Sequence, residues 1–213
     1  VNGAFGGSGQ KCTASSRLIV HERVHDAFVE KLVAATRALK VGHALEAGTQ
    51  IGPVASAAQL ASNLASVELG RQEGAELITG GNPLELATPG HFMAPALFVE
   101  TRNSMLINRQ ELFAPIACVL KIGSYDEALT LVNDTRFGLT AGIMTRSLAR
   151  ASHFRRNARA GCVMVNLPTA GTDYHVPFGG RGDSSYGPRE QGRSAVEFYT
   201  HVKTGYIAAG EPL

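Results

Sequence analysis

The chain has 213 residues, 44% of them hydrophobic and 18% charged, with Lys+Arg 20 against Asp+Glu 18 and a formal net charge of +2. A chain of this length buries a substantial core as one large domain or two small ones, and its profile, with 24 glycines, is globular and not disordered. The balanced charge gives no ground for a nucleic-acid or membrane-surface partner, and no apolar run approaches a membrane span.

The first element in chain order is a turn, Gly9-Gln10-Lys11-Cys12-Thr13-Ala14-Ser15-Ser16. Arg17 to His21 then reads as a short buried strand. Val24, Phe28, Leu32, Ala35 and Leu39 recur at steps of three and four, which places them on one face of a helix that stops near Gly42. Gln59 to Gly70 is a second helix, and Glu76 to Thr79 a strand running into Gly80-Gly81-Asn82-Pro83. Ile116 to Leu120 has the composition of a strand buried on both faces. Ser124 and Glu127 have the spacing of a capping box that opens a helix through Asn133. Leu139 to Met144 is a strand. Ser147 caps a helix with Leu148, Ala151, Phe154 and Ala158 inward, and Cys162 to Asn166 is a further strand. Strands alternating with amphipathic helices give an α/β fold with a mostly parallel sheet flanked by helices. The tail, Glu197 to Ile207, has the β-branched and aromatic composition of a strand that needs an edge to pair with, its own or another subunit's.

Cys12, Cys118 and Cys162 are odd in number and far apart. They show neither a disulfide framework nor metal-ligand spacing; no metal site is expected, and a reducing, cytoplasmic compartment fits. His21, His25 and His43 also lack ligand spacing and are read as surface residues. The sequence opens Val1-Asn2-Gly3-Ala4-Phe5, without an initiator Met, a basic stretch or a cleavage signal, which leads to the expectation of a processed, truncated or excised fragment.

Three constellations carry possible chemistry. Cys118 and Cys162 lie within apolar strands and read as small buried hydrophobes. Cys12 differs, because Lys11, Thr13, Ser15 and Ser16 surround it and Lys11 or a following helix N-terminus favours the thiolate. A thiolate on a tight turn has what attack on a carbonyl needs: a nucleophile, close backbone approach and N–H donors for the oxyanion. The second constellation is Glu111-Leu112-Phe113-Ala114-Pro115, an acid and an aromatic just before a buried strand. On spacing alone it is a surface carboxylate and a core ring; its functional reading is ribose binding by Glu111 and ring packing by Phe113. The third is Asn166-Leu167-Pro168-Thr169-Ala170-Gly171 with Val176-Pro177-Phe178-Gly179-Gly180, either a structural turn or the wall of a substrate pocket.

Together, Gly9-Gln10-Lys11-Cys12, Glu111 to Pro115, Pro177-Phe178-Gly179-Gly180 and Gly187-Pro188-Arg189-Glu190 resemble the aldehyde dehydrogenase superfamily in order and approximate spacing. The stretches Val165 to Arg181 and Ser184 to Gly192 are similar to its α-ketoglutaric semialdehyde (2,5-dioxopentanoate) dehydrogenase branch. The resemblance implies that Cys12 is the nucleophile, that Glu111, Phe113 and Gln59 contact an NAD or NADP cofactor, and that Phe178 lines the substrate tunnel. It further implies a catalytic domain over residues 1–196 and an oligomerisation strand and tail over 197–213 that pairs with a second copy. By the same resemblance the cofactor-binding domain, the general-base glutamate and an oxyanion asparagine lie upstream and are absent from the chain. The substrate implied is a small aldehyde or semialdehyde. Gly182, where the family often has lysine, and Ala114, where many members have glycine, depart from the pattern. The competing reading is a structural or oligomerising fragment, inactive without the missing half.

Overall fold

The computed structural model describes residues 1–210. In chain order these form α1 (Asn2–Phe5), a 3-10 turn (Gly6–Gly9), β1 (Arg17–His21), α2 (Glu22–Arg37), α3 (Ala57–Gln72), β2 (Glu76–Thr79), β3 (Pro83–Leu84), β4 (Phe92–Met93) and β5 (Ala96–Val99). There follow α4 (Leu106–Arg109), β6 (Ile116–Ile122), α5 (Tyr125–Asn133), β7 (Thr140–Ile143), α6 (Leu148–Asn157), β8 (Cys162–Val165) and α7 (Ala195–Tyr199). The principal sheet has the order β1-β6-β5-β2, with β1 and β5 parallel to β6 and only β2 antiparallel. β7 and β8 form a separate parallel pair, and β3–β4 a short antiparallel one. The fold is therefore α/β with mostly parallel ladders flanked by helices.

β6 is central, and its pleat sorts the core. Ile116, Cys118 and Leu120 face one cluster with Phe98, Ile107 and Val67, while Ala117 and Val119 face another with Phe5, Leu32, Ile51 and Leu97. β5 supplies side chains to both clusters and was not among the expected elements. Its four residues are apolar on both faces, so neither a period of two nor one of 3.6 marks them.

Helices α3, α5 and α6 start where serine hydroxyls cap them. Ser56, Ser124 and Ser147 accept the backbone N–H of Gln59, Glu127 and Arg150. Glu127 reaches back to the N–H of Gly123, one residue outside a regular capping box. The inward face of α2 differs from the expected one. His25, Leu32 and Thr36 are buried and Val29 and Val33 pack on the core, whereas Val24, Phe28 and Ala35 are exposed. Polar His25 and Thr36 sit on the true core face and hide it from an apolar count, so His25 is not a surface residue. In α6, Phe154 and Ala158 are buried as expected, but Leu148 at the first turn is exposed.

The tail also departs from expectation. Ala195–Tyr199 is helical, and residues 200–210 pair with no strand among the described residues. A strand without an edge has no acceptors for its amides, and Val202, Tyr206 and Ile207 remain exposed. Expected residues 211–213 of the tail lie outside the described residues.

A polar clasp joins β1 to the end of α5. Arg17 donates to the carbonyls of Leu131 and Val132 and to Asn103 Oδ1, while Asn103 Nδ2 donates to the Asp134 carboxylate at 2.7 Å. Arg109 pairs with the same carboxylate at 3.3 Å. Replacing Arg17 by Met keeps the aliphatic stem and strands these acceptors. Unfolding in urea is expected to show a loss of about 1–3 kcal/mol, and an unchanged midpoint would contradict it. The hydrogen bond from Asn103, with that from Arg109, holds the Asp134 carboxyl below its ordinary value of 3.8. A depressed folded-state pKa contributes stability above the ordinary value that is lost as pH falls through the folded one. Asp134→Asn is therefore expected to flatten the acid limb of a stability–pH curve below about pH 4; an acid limb equal to that of the parent would count against the clasp.

Candidate active site

Cys12 sits on a turn built from unusual backbone. Gly7, Ser8 and Gly9 are consecutive left-handed residues at φ 65°, 59° and 67°. Ser8 tolerates this because it is buried and its hydroxyl donates to the Gly52 carbonyl at 2.8 Å. Gln10 Oε1 accepts the Ala55 N–H, and the Ala14 N–H donates to the Lys11 carbonyl, closing the turn around Cys12 and Thr13. Thr13 is buried beneath the turn and Cys12 is exposed above it. The chain then enters β1 and not a helix, so no following helix N-terminus bears on the thiol. Of the free cysteines, Cys12 is the exposed one; Cys162 is half-buried, and burial in the core, with the nearby Glu73 charge, pushes the Cys118 thiol up to about 12.

The turn meets the Glu111–Pro115 loop through bare backbone. A Cβ placed on Gly9 would lie 2.0 Å from the Ala114 carbonyl oxygen, so only glycine fits. The loop is held at three further points. Arg109 at its entry pairs with Asp134, Gln59 Nε2 in the first turn of α3 donates to the Leu112 carbonyl, and the Pro115 carbonyl accepts from Ala96 N–H on β5. These restraints fix Phe113 at φ 52°, a left-handed backbone that a bulky side chain rarely adopts, with the residue 41% exposed. Such outliers persist where the surroundings over-determine them, and they cluster at ligand sites. Glu111 is exposed, and its carboxylate makes no hydrogen bond among the described residues.

The third expected segment arrives through a hydroxyl pair. Ser15, three residues after Cys12, bonds Thr169 at 2.7 Å. Asn166 turns the chain at φ 57°; its amide accepts from and donates to the Thr145 backbone, aiming the loop that carries Thr169. The Ser15–Thr169 bond escaped the sequence reading, since a hydroxyl pair 154 residues apart leaves no local signal. Phe178 is placed differently. It forms a two-bond bridge with Glu190, and Gly179 packs so closely on Gly161 that a Cβ there would lie 1.8 Å from the Gly179 oxygen. This anchors half-buried Phe178 near the start of β8, with no hydrogen bond to the Cys12 turn. Backbone contact thus ties the Cys12 turn to the loop of Glu111 and Phe113, Gln59 bonds that loop, Ser15 ties the turn to the Thr169 loop, and Phe178 is held through Glu190. Among the described residues no three His, Cys, Asp or Glu side chains converge on a metal position, and no helix is long and apolar enough to cross a membrane.

The model of the Aldehyde dehydrogenase family matches residues 1–205. The chain belongs to the aldehyde dehydrogenase family. It is 40% identical over 209 residues to the alpha-ketoglutaric semialdehyde dehydrogenase of Bacillus subtilis, covering 97% of this chain and 43% of that protein. It is 41% identical over 208 residues to the alpha-ketoglutarate semialdehyde dehydrogenase of Haloferax volcanii, covering 96% and 43%. The crystal structure of an NAD-dependent aldehyde dehydrogenase from Sinorhizobium meliloti superposes with a TM-score of 0.88 at 33% identity, over 99% of this chain and 42% of that one. The chain thus spans less than half the length of these aldehyde dehydrogenases.

If the Gly9–Ala114 contact sets the site, Gly9→Ala is expected to cost more than Gly74→Ala. Gly74 is also left-handed, at φ 84°, but nothing lies within 4 Å of its would-be Cβ. Gly74→Ala is expected to cost about 1 kcal/mol from backbone strain and Gly9→Ala at least twice that, read as thermal midpoints. Equal shifts would contradict the contact.

Proposed function

We propose that this chain is the nucleophile-bearing catalytic part of an NAD(P)-dependent aldehyde dehydrogenase that oxidises 2,5-dioxopentanoate to 2-oxoglutarate. The observation that carries this is an exposed thiol on a strained turn locked to a loop presenting a free carboxylate and a ring. The semialdehyde follows from the names of the two curated relatives. NAD and NADP are both retained, and a reducing cytoplasmic compartment suits a protein with free cysteines only. Residues 1–196 would form the catalytic domain and 197–213 the oligomerisation segment. Exposed Val202, Tyr206 and Ile207 favour association with a second copy.

The residues present fit a nicotinamide dinucleotide. Glu111 offers an unpaired carboxylate for the two hydroxyls of a ribose, Phe113 a ring held out by its backbone, and Gln59 an amide beside the same loop. When bound, that cofactor supplies the hydride acceptor. Cys12 thiolate attacks the aldehyde carbon, forming the C–S bond as the carbonyl π pair moves to oxygen. The Cys12 backbone N–H has no acceptor among the described residues and donates to the developing oxyanion. With a hydride acceptor bound, the tetrahedral adduct on Cys12 would collapse to a thioester, and water would then cleave that thioester to the acid and the regenerated thiol. Phe178 and the Thr169 loop would wall the substrate side.

A second reading has its own observation. Cys12 is exposed and no carboxylate or imidazole among the described residues hydrogen-bonds its thiol, which favours the reading of the chain by itself as a structural or oligomerising fragment. The 213-residue chain alone is therefore expected to form no reduced nicotinamide with aldehyde and NAD⁺ or NADP⁺, while iodoacetamide labels Cys12 well before Cys118. Steady-state turnover by the chain alone would overturn this. In the full-length protein, Cys12→Ser is expected to lower kcat by on the order of 10⁴-fold; near-parental turnover of 2,5-dioxopentanoate would remove the assignment.

A further inference from the structure

We infer that Asn63 is a positioning residue that sets the polarity of Gln59, so that Gln59 holds the Glu111–Phe113 loop with its NH₂ and offers its carbonyl to the ligand. The inference rests on the proposed binding of nicotinamide dinucleotide at this loop. Asn63 lies one turn after Gln59 on α3 and is 0% exposed. The Leu112 carbonyl can only accept, so the end of the Gln59 amide that faces it, at 3.4 Å, is Nε2. The same Nε2 lies 2.7 Å from Asn63, which must therefore present its own oxygen, Oδ1. Both N–H groups of Gln59 are then used within the protein, and Oε1 has no partner among the described residues. What remains for a ligand at Gln59 is an acceptor, which suits a ribose hydroxyl or an amide N–H and not a phosphate oxygen.

The arrangement leaves Asn63 Nδ2 buried without a hydrogen-bond partner. An apolar residue would avoid that cost, and a buried amide half-used in a helix interior points to a job for its other half. That job is to accept from Gln59. Without it the Gln59 amide is held only by the long 3.4 Å contact to the Leu112 carbonyl, and the loop and the ligand-facing oxygen lose their fixed orientation together.

The test uses the full-length protein carrying this chain, titrated with NAD⁺ and NADP⁺, with hydrogen exchange followed at residues 110–114 in the nucleotide-free state. Asn63→Leu is expected to raise the Kd of the preferred dinucleotide about tenfold and to speed exchange in the loop. In a Gln59→Met background it should add nothing, because Asn63 acts through Gln59. An unchanged Kd, or a penalty of the same size in both backgrounds, overturns the proposal. Should Asn63→Leu fail to fold, Gln59→Glu decides: it keeps the acceptors and deletes the donors, so the same tenfold loss and faster exchange are expected, and parental values overturn it. If the parent protein binds neither dinucleotide, the reading of the loop as a cofactor site fails, whatever the loop exchange shows.

Discussion

The close approach of Gly9 to the Ala114 carbonyl is the contact on which the site depends. It joins two segments a hundred residues apart with no side chain between them, so it tolerates no Cβ and no displacement. From it follows the position of Cys12 relative to the Glu111–Phe113 loop. The other restraints on this region, the Ser8 and Gln10 hydrogen bonds and the Arg109 pair, converge on the two partners of that contact.

Five non-glycine residues among those described are left-handed: Ser8, Glu100, Phe113, Asn166 and Gln191. Three of them, Ser8, Phe113 and Asn166, lie within segments that reach the proposed site. Each is held by neighbours that define its conformation: a buried hydroxyl at Ser8, a loop fixed on both sides at Phe113, a paired amide at Asn166. Parallel strands β1 and β6 supply the rigid frame beneath, and the Arg17 clasp fixes α5 to that frame.

Much of this was legible in the sequence because it was local. The strand ends, the serine caps of α5 and α6, and the punctuation by glycine all left marks within a few residues. The motifs around Cys12, Glu111 and Phe113 were legible only as a set. What escaped was non-local or masked. β5 is too short and too uniformly apolar to show a period. The buried face of α2 carries His25 and Thr36, which an apolar count assigns to solvent. The Ser15–Thr169 and Gln59–Leu112 bonds join residues that no spacing rule relates. The tail has strand composition, but composition cannot supply the edge that a strand requires.

The central claim is that Cys12 forms the covalent bond to the substrate carbon. The direct measurement is peptide mass spectrometry of the full-length protein, acid-quenched while turning over 2,5-dioxopentanoate with NAD⁺ or NADP⁺. An acyl adduct with the mass of the 2-oxoglutarate thioester on the peptide containing Cys12 is the result this account predicts. An adduct confined to Cys118, Cys162 or a non-cysteine residue, with Cys12 unmodified during turnover, would contradict it.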